Sequence, residues 1–209
     1  MEYLIVTPVA SVIFVITLIT SLYAFYNQNV YGKMMLHPYT VSRGKDLHSL
    51  ITSGLIHRDT MHLLFNMMSY YFFAFRLEQQ MGHWQFGLLY VVSLILSDMP
   101  SVIKHKENYN YYSLGASGAI SAVIFGAILY SPLDRMGLIF LPILIPAYVF
   151  GILYLIYCSY ASKYSNDSIN HDAHLYGALS GLLITILLNP PVLPKFIEQI
   201  TGAIQSMLH

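Results

Sequence analysis

One cysteine, Cys158, occurs among the 209 residues, which is read as ruling out an intrachain disulfide and any Cys-based zinc site and leaves redox chemistry unsupported. Charge is equally scarce. Only 10% of residues are Asp, Glu, Lys or Arg, and ten bases balance ten acids. There is therefore no basic surface for nucleic acid and no acidic tail. No Lys or Arg precedes Lys33, and no small-residue cleavage site follows the first apolar run, so that run reads as a retained membrane span and not as a secretion signal. Polar sequence outside the apolar runs amounts to one loop and a short tail, too little for a separate globular domain.

Apolar sequence fills the space that charge leaves. Hydrophobic residues make up 56% of the chain, and the mean hydropathy is +0.57, values that belong to a membrane protein. A helix needs about 20 mostly apolar residues to cross the hydrocarbon core. Six stretches are predicted to do so, at about 6–26, 60–80, 84–103, 115–131, 136–158 and 172–189, within a single domain over 1–209. Residues 27–59 are expected to be a long loop and 190–209 a short C-terminal tail. The predicted fold class is all-α, a polytopic six-helix membrane bundle. Tyr109, Tyr111 and Tyr112, just before the fourth span, suit a membrane interface.

Polar groups are distributed unevenly among these spans. The second, fourth and sixth carry His62 and Asn66, Ser117 and Ser121, and His174, whereas the first and fifth are nearly free of them. A polar group at membrane depth is costly and marks a functional site by default. With short connections the even-numbered spans run in one direction, and each polar group lies near an N-terminal end. Topology alone therefore gathers them at one depth.

Small residues supply a way to bring two of these spans close. Gly118, Ala122 and Gly126 form an i, i+4 stripe on span four, and Ala173, Gly177 and Gly181 form another on span six. Such stripes let membrane helices approach until their backbones nearly touch. Ser117 and His174 each sit one residue from the first member of a stripe, so packing of the stripes places them at the same end of the contact. Serine beside histidine is the arrangement of an activated nucleophile. The plain alternative is that the stripes only pack helices, that Ser117 bonds back to a carbonyl a turn earlier, and that His62 and Asn66 are interhelical glue. The Gly115-Ala-Ser117-Gly118 segment is not a nucleophile elbow, because glycine follows the serine immediately. His62 and Asn66, one turn apart, can equally donate hydrogen bonds to a developing oxyanion, as can the backbone N–H of Ser117 at a helix N-terminus.

Taken together, His57-X4-His62-X3-Asn66, Gly115-Ala-Ser117-Gly118 and Ala173-His174-X2-Gly177-X3-Gly181 resemble the rhomboid intramembrane serine proteases. The resemblance covers spans two to six in order. It implies that Ser117 is the nucleophile, His174 its general base, and His62, Asn66 and the Ser117 backbone the oxyanion hole, with His57 supporting that region from the loop. His57 and His62 are five apart and do not share a helical face. The resemblance also matches Glu78 and Gly82 to a Glu-X3-Gly feature that braces a loop or span end. It implies a Ser/His dyad with no acidic third member. Asp172, two residues from His174, points to another face. Where many relatives have an aromatic ring one turn beyond the serine, this chain has Ser121, which can instead hydrogen-bond the imidazole.

The substrates so implied are transmembrane proteins whose helices unwind near the membrane surface, entering beside span five (Leu138 to Tyr157) under a lid at Ser159 to Asn170. No cofactor and no metal is implied. A set built from His57, His62, His171 and His174 lacks a membrane carboxylate or thiolate to complete it. The rival reading is a non-catalytic protein of the same fold that binds transmembrane clients. The resemblance places the protein in a bacterial plasma membrane, with the N-terminus in the cytoplasm and the site on the external face. That puts Lys33, Arg43, Lys45, Arg58, Lys104, Lys106 and Lys163 outside and Arg76, Arg135 and Lys195 inside, against the positive-inside tendency.

Overall fold

A computed structural model describes residues 2–137, 143–165, 167 and 169–208. The described chain is almost entirely helical. In order come α1 (Glu2–Val6), α2 (Pro8–Tyr26), α3 (Gln28–Met34), α4 (Pro38–Val41), α5 (Ser49–Thr52), a 3-10 turn (Ser53–Leu55), α6 (Thr60–Met81), α7 (His83–His105), α8 (Ser117–Tyr130), strands β1 (Arg135–Met136) and β2 (Ile145–Pro146), α9 (Ala147–Tyr164), α10 (His171–Leu188) and α11 (Val192–Leu208).

Among the described residues, length and composition suit three helices to cross a membrane: Pro8–Tyr26, His83–His105 and His171–Leu188. Their length and composition fit an integral membrane protein. Helices occur at all six predicted positions, but the count of six crossings is not reached on these criteria. α6 and α9 are long enough and more polar, while α8 has only 14 residues. At 1.5 Å per residue α8 extends about 21 Å, short of a hydrocarbon core of about 30 Å.

The fifth predicted span, 136–158, is displaced. Its helix runs over Ala147–Tyr164, and β1 and β2 form a small antiparallel ladder ahead of it. Pro146 is the reason: it has no N–H to continue a helix backward and its fixed φ suits a helix start. The freed N–H groups of Ala147 and Tyr148 donate to Asp134 O and Pro132 O, at 2.8 and 3.0 Å. Residues 138–142 of that prediction lie outside the described residues.

The 27–59 segment is no simple loop either, since α3, α4, α5 and the 3-10 turn occupy much of it. It is tied to the approach to α8 by a bridge in which Leu36 and Ser113 exchange both backbone hydrogen bonds, at 2.9 and 3.0 Å. The expected short tail contains the 17-residue α11.

The bundle centres on α8. The main core gathers Tyr70, Leu77, Phe86, Leu89, Ala119, Ala122 and Val123 from α6, α7 and α8. α10 shows the division of labour most clearly. Gly177, Ala178 and Gly181 are buried, while Leu179, Leu183 and Leu187 project outward at 44%, 56% and 68% exposure. Apolar residues outside and small residues inside are the arrangement that lipid favours.

Candidate active site

Three helices begin around the residues singled out by the sequence, and each start has a local cause. Asp59 caps α6 by accepting from His62 N at 2.8 Å, and its carboxyl is held below the usual range by that bond and by Arg58 beside it. The cap puts His62 in the first turn and Asn66 one turn later. Asn170 caps α10 by accepting from Ala173 N at 3.0 Å. Its amide donates to Ser101 Oγ and Ser113 Oγ, at 2.8 and 3.2 Å. His174 therefore lies in the first turn of α10. Ser117 is the first residue of α8, where backbone N–H groups lack intrahelical acceptors.

The small-residue stripes meet, and they meet in parallel register. A methyl group at Gly177 would collide with the backbone carbonyl of Gly118, and one at Gly181 would collide with Ala122 O. At Gly126 an added Cβ would lie 3.0 Å from Thr185 Oγ1, and at Gly118 one would lie 3.3 Å from Ala173 O. The pairs 118/177, 122/181 and 126/185 advance together along both helices, so the N-terminal ends of α8 and α10 lie at the same level. Ser117 and His174 are both partly buried there. Among the described residues no hydrogen bond joins Ser117 Oγ to the His174 ring.

His62 reaches the same place from α6. Its ring lies against Gly115, where a Cβ would stand 2.7 Å from Cε1 and 3.0 Å from Nε2. Gly115 has φ +117°, a conformation that side chains resist, and its N–H donates to Ser53 O at 2.9 Å. The backbone N–H of Arg58 donates to His62 Nδ1 at 3.4 Å, which makes Nδ1 the acceptor and leaves the proton on Nε2. Asn66, 7% exposed, donates one amide hydrogen to His62 O at 2.9 Å, leaving its other hydrogen for a further acceptor.

His57 is fully buried in the loop before α6, with Nδ1 2.9 Å from Ser21 Oγ and its ring edge-on to His62 at 5.0 Å. Burial, then the neighbouring His62, pushes its pKa down to about 3. A neutral His57 thus packs behind His62.

Glu78 and Gly82 lie at the opposite end of α6. Glu78, fully buried, accepts from Val9 N and Ala10 N at 3.1 and 2.6 Å, and His83 Nδ1 stands 2.7 Å away. It therefore caps the N-terminus of α2, where a carboxylate complements the helix dipole. Gly82 ends α6 with φ +97°.

Two readings of the sequence need correction. Ser121 is bonded to the Tyr154 hydroxyl at 2.9 Å and not to the imidazole, so an aromatic residue from α9 enters at the position where α8 lacks one. The reading that no thiolate stands with the histidines is overturned too: the sulfur of Cys158 and one ring nitrogen each from His171 and His174 lie within 4.8 Å of one another. Asp172 is paired with Lys104 at 2.9 Å, and is thereby occupied away from His174.

Comparison with known proteins gives the family of the chain. The rhomboid domain model matches residues 44–191. The chain is 36% identical over 141 residues to "Putative rhomboid protease YdcA" of Bacillus subtilis (strain 168), covering 66% of this chain and 65% of that protein. It is 35% identical over 89 residues to "RHOMBOID-like protein 6, mitochondrial" of Arabidopsis thaliana, covering 43% of this chain and 28% of the relative. With "RHOMBOID-like protein 12, mitochondrial" of the same plant it shares 29% identity over 148 residues, covering 63% and 44%. In each case the match spans less than two thirds of the relative's length.

Proposed function

The chain belongs to the rhomboid family, and from that premise we propose that it is an intramembrane serine endopeptidase working through a Ser117/His174 dyad on transmembrane proteins. The observation that carries the reading is the common level of three helix starts. The Gly118–Gly177 contact aligns α8 with α10, and the Gly115–His62 contact brings α6 to the same place.

In this mechanism Ser117 Oγ attacks the carbonyl carbon of the scissile bond and its proton passes to His174. The former carbonyl oxygen, now negative, accepts from His62 Nε2–H, Asn66 Nδ2–H and the backbone N–H of Ser117. Collapse of the tetrahedral intermediate breaks the C–N bond, and His174 returns the proton to the leaving amine. Water then attacks the acyl-enzyme with His174 again as base, releasing the carboxylate and regenerating Ser117. In a low-dielectric site each oxyanion donor contributes several kcal/mol to lowering the barrier.

Since α8 is shorter than the hydrocarbon core, its start at Ser117 lies inside the membrane thickness when its other end reaches the opposite surface. Helical substrates shield their carbonyls with backbone hydrogen bonds, so the segment cut is one that unwinds. The single domain comprises the whole bundle over 1–209, in a bacterial plasma membrane with the site facing outward and substrate entering beside α9.

The test is incubation of detergent-purified protein with a transmembrane reporter substrate. Wild type is expected to cleave it and Ser117→Ala to lose cleavage; equal cleavage by both removes the serine assignment.

A further inference from the structure

Cys158 of α9 and His171 and His174 of α10 cluster on two packed helices, with one donor atom from each residue within 4.8 Å of the other two. Cys158 is fully buried and His171 is 4% exposed. His171 is oriented from behind. Its Nε2 lies 3.1 Å from both carboxylate oxygens of Asp167. A carboxylate there calls for a proton on Nε2, which leaves the lone pair on Nδ1. That Nδ1 is buried and has no hydrogen-bond partner among the described residues. A carboxylate bonded to one ring nitrogen while the other stays bare is how metal-binding histidines are held.

We propose that Cys158, His171 and His174 form a site for a thiophilic divalent cation of the Zn2+ class, and that the bound ion silences the Ser117/His174 chemistry. Zn–N distances of about 2.0–2.1 Å and a Zn–S distance of about 2.3 Å place tetrahedral ligands about 3.3–3.6 Å apart. The present separations, up to 4.8 Å, shorten to that range on binding in this proposal, by side-chain rotation on α9 and α10. Binding replaces the thiol proton: Cys158–SH and Zn2+ give a zinc thiolate and one proton released to solvent. Three protein ligands leave the fourth position to water. The ion takes the lone pair with which His174 would accept the Ser117 proton, so attack stops while metal is bound. This consequence rests on the dyad assignment above, whereas the metal site rests on the cluster alone.

The experiment uses the detergent-purified full chain, stripped with chelator and titrated with Co2+ as a spectroscopic stand-in for Zn2+. One Co2+ per chain is expected, with a thiolate-to-cobalt charge-transfer band that Zn2+ displaces. Cys158→Ser is expected to lose that band, and His171→Ala to bind about tenfold more weakly or worse. Thermal melting of both variants without metal checks that they fold. No charge-transfer band in wild type, or equal affinity in folded variants, overturns the site. Zn2+ is then expected to block fluorophosphonate labelling of Ser117 in wild type and not in Cys158→Ser. Metal binding with unimpaired labelling overturns the inhibition. Absence of labelling in metal-free protein strikes the dyad instead, and the cobalt titration stands independently of it.

Discussion

Gly177 of α10 lies directly against the backbone carbonyl of Gly118 on α8, with no room between them for a methyl group. Because this contact is one residue from Ser117 and less than a turn from His174, it joins packing to the proposed dyad. Gly177→Ala must push two backbones apart. The cost expected from forcing a methyl into a packed contact is about 1–3 kcal/mol. We predict a lowered melting temperature together with a loss of reporter cleavage out of proportion to the unfolded fraction. A variant that melts lower but cleaves at the wild-type rate per folded molecule would separate the contact from the site.

On the proposed mechanism His62 and Asn66 donate to the oxyanion in the transition state more than they contribute to substrate binding. His62→Ala and Asn66→Ala are each predicted to lower kcat by about 10²–10³ with little change in KM, the range for loss of one oxyanion donor. Steady-state kinetics on a transmembrane reporter decides this. A rise in KM alone would make both residues substrate-binding or packing groups.

His57 gives a pH signature. Its pKa falls to about 3 in the folded protein from an ordinary 6.5, so between these values the unfolded chain binds a proton that the folded chain does not. Its contribution to stability is complete above about pH 6.5 and is lost as pH falls toward 3. Comparing wild type with His57→Gln by thermal melting from pH 7.5 to 4 should show the wild type losing more stability on acidification. Parallel curves would contradict the assignment.

Glu78 acts far from the reacting groups, at the N-terminus of α2. Glu78→Ala leaves the N–H groups of Val9 and Ala10 without their buried acceptor. The expected destabilisation is about 1–3 kcal/mol or more, with kcat of the remaining folded protein unchanged. A drop in kcat at temperatures where the variant is fully folded would make Glu78 part of the working site.

Much of the helix packing was legible in the sequence. Polar residues confined to alternate apolar segments, with small residues at helical spacing, specify which helix faces meet; the 118/177 and 122/181 contacts join the residues those stripes contain. What was hidden depended on chain geometry that periodicity does not carry. Pro146 sets the start of α9 at Ala147, 11 residues after the predicted 136, and contacts between helices that no single-helix pattern carries set Tyr154 against Ser121 and Cys158 near His174. The 27–59 segment reads as polar loop because α4 and α5 are only four residues each, too short to leave a periodic trace. Asp59 and Asn170 did leave a signal: each is a capping residue type immediately before a helical run.

In the proposed dyad Ser117 is a nucleophile activated by His174. A fluorophosphonate tests it most directly, because phosphorus bonds to an activated serine oxygen, fluoride leaves and the serine proton is released. Intact-mass analysis of metal-free protein should show one adduct, mapped to Ser117, absent from Ser117→Ala and strongly reduced in His174→Ala. An adduct that persists in Ser117→Ala, or forms equally fast without His174, would rule out the dyad.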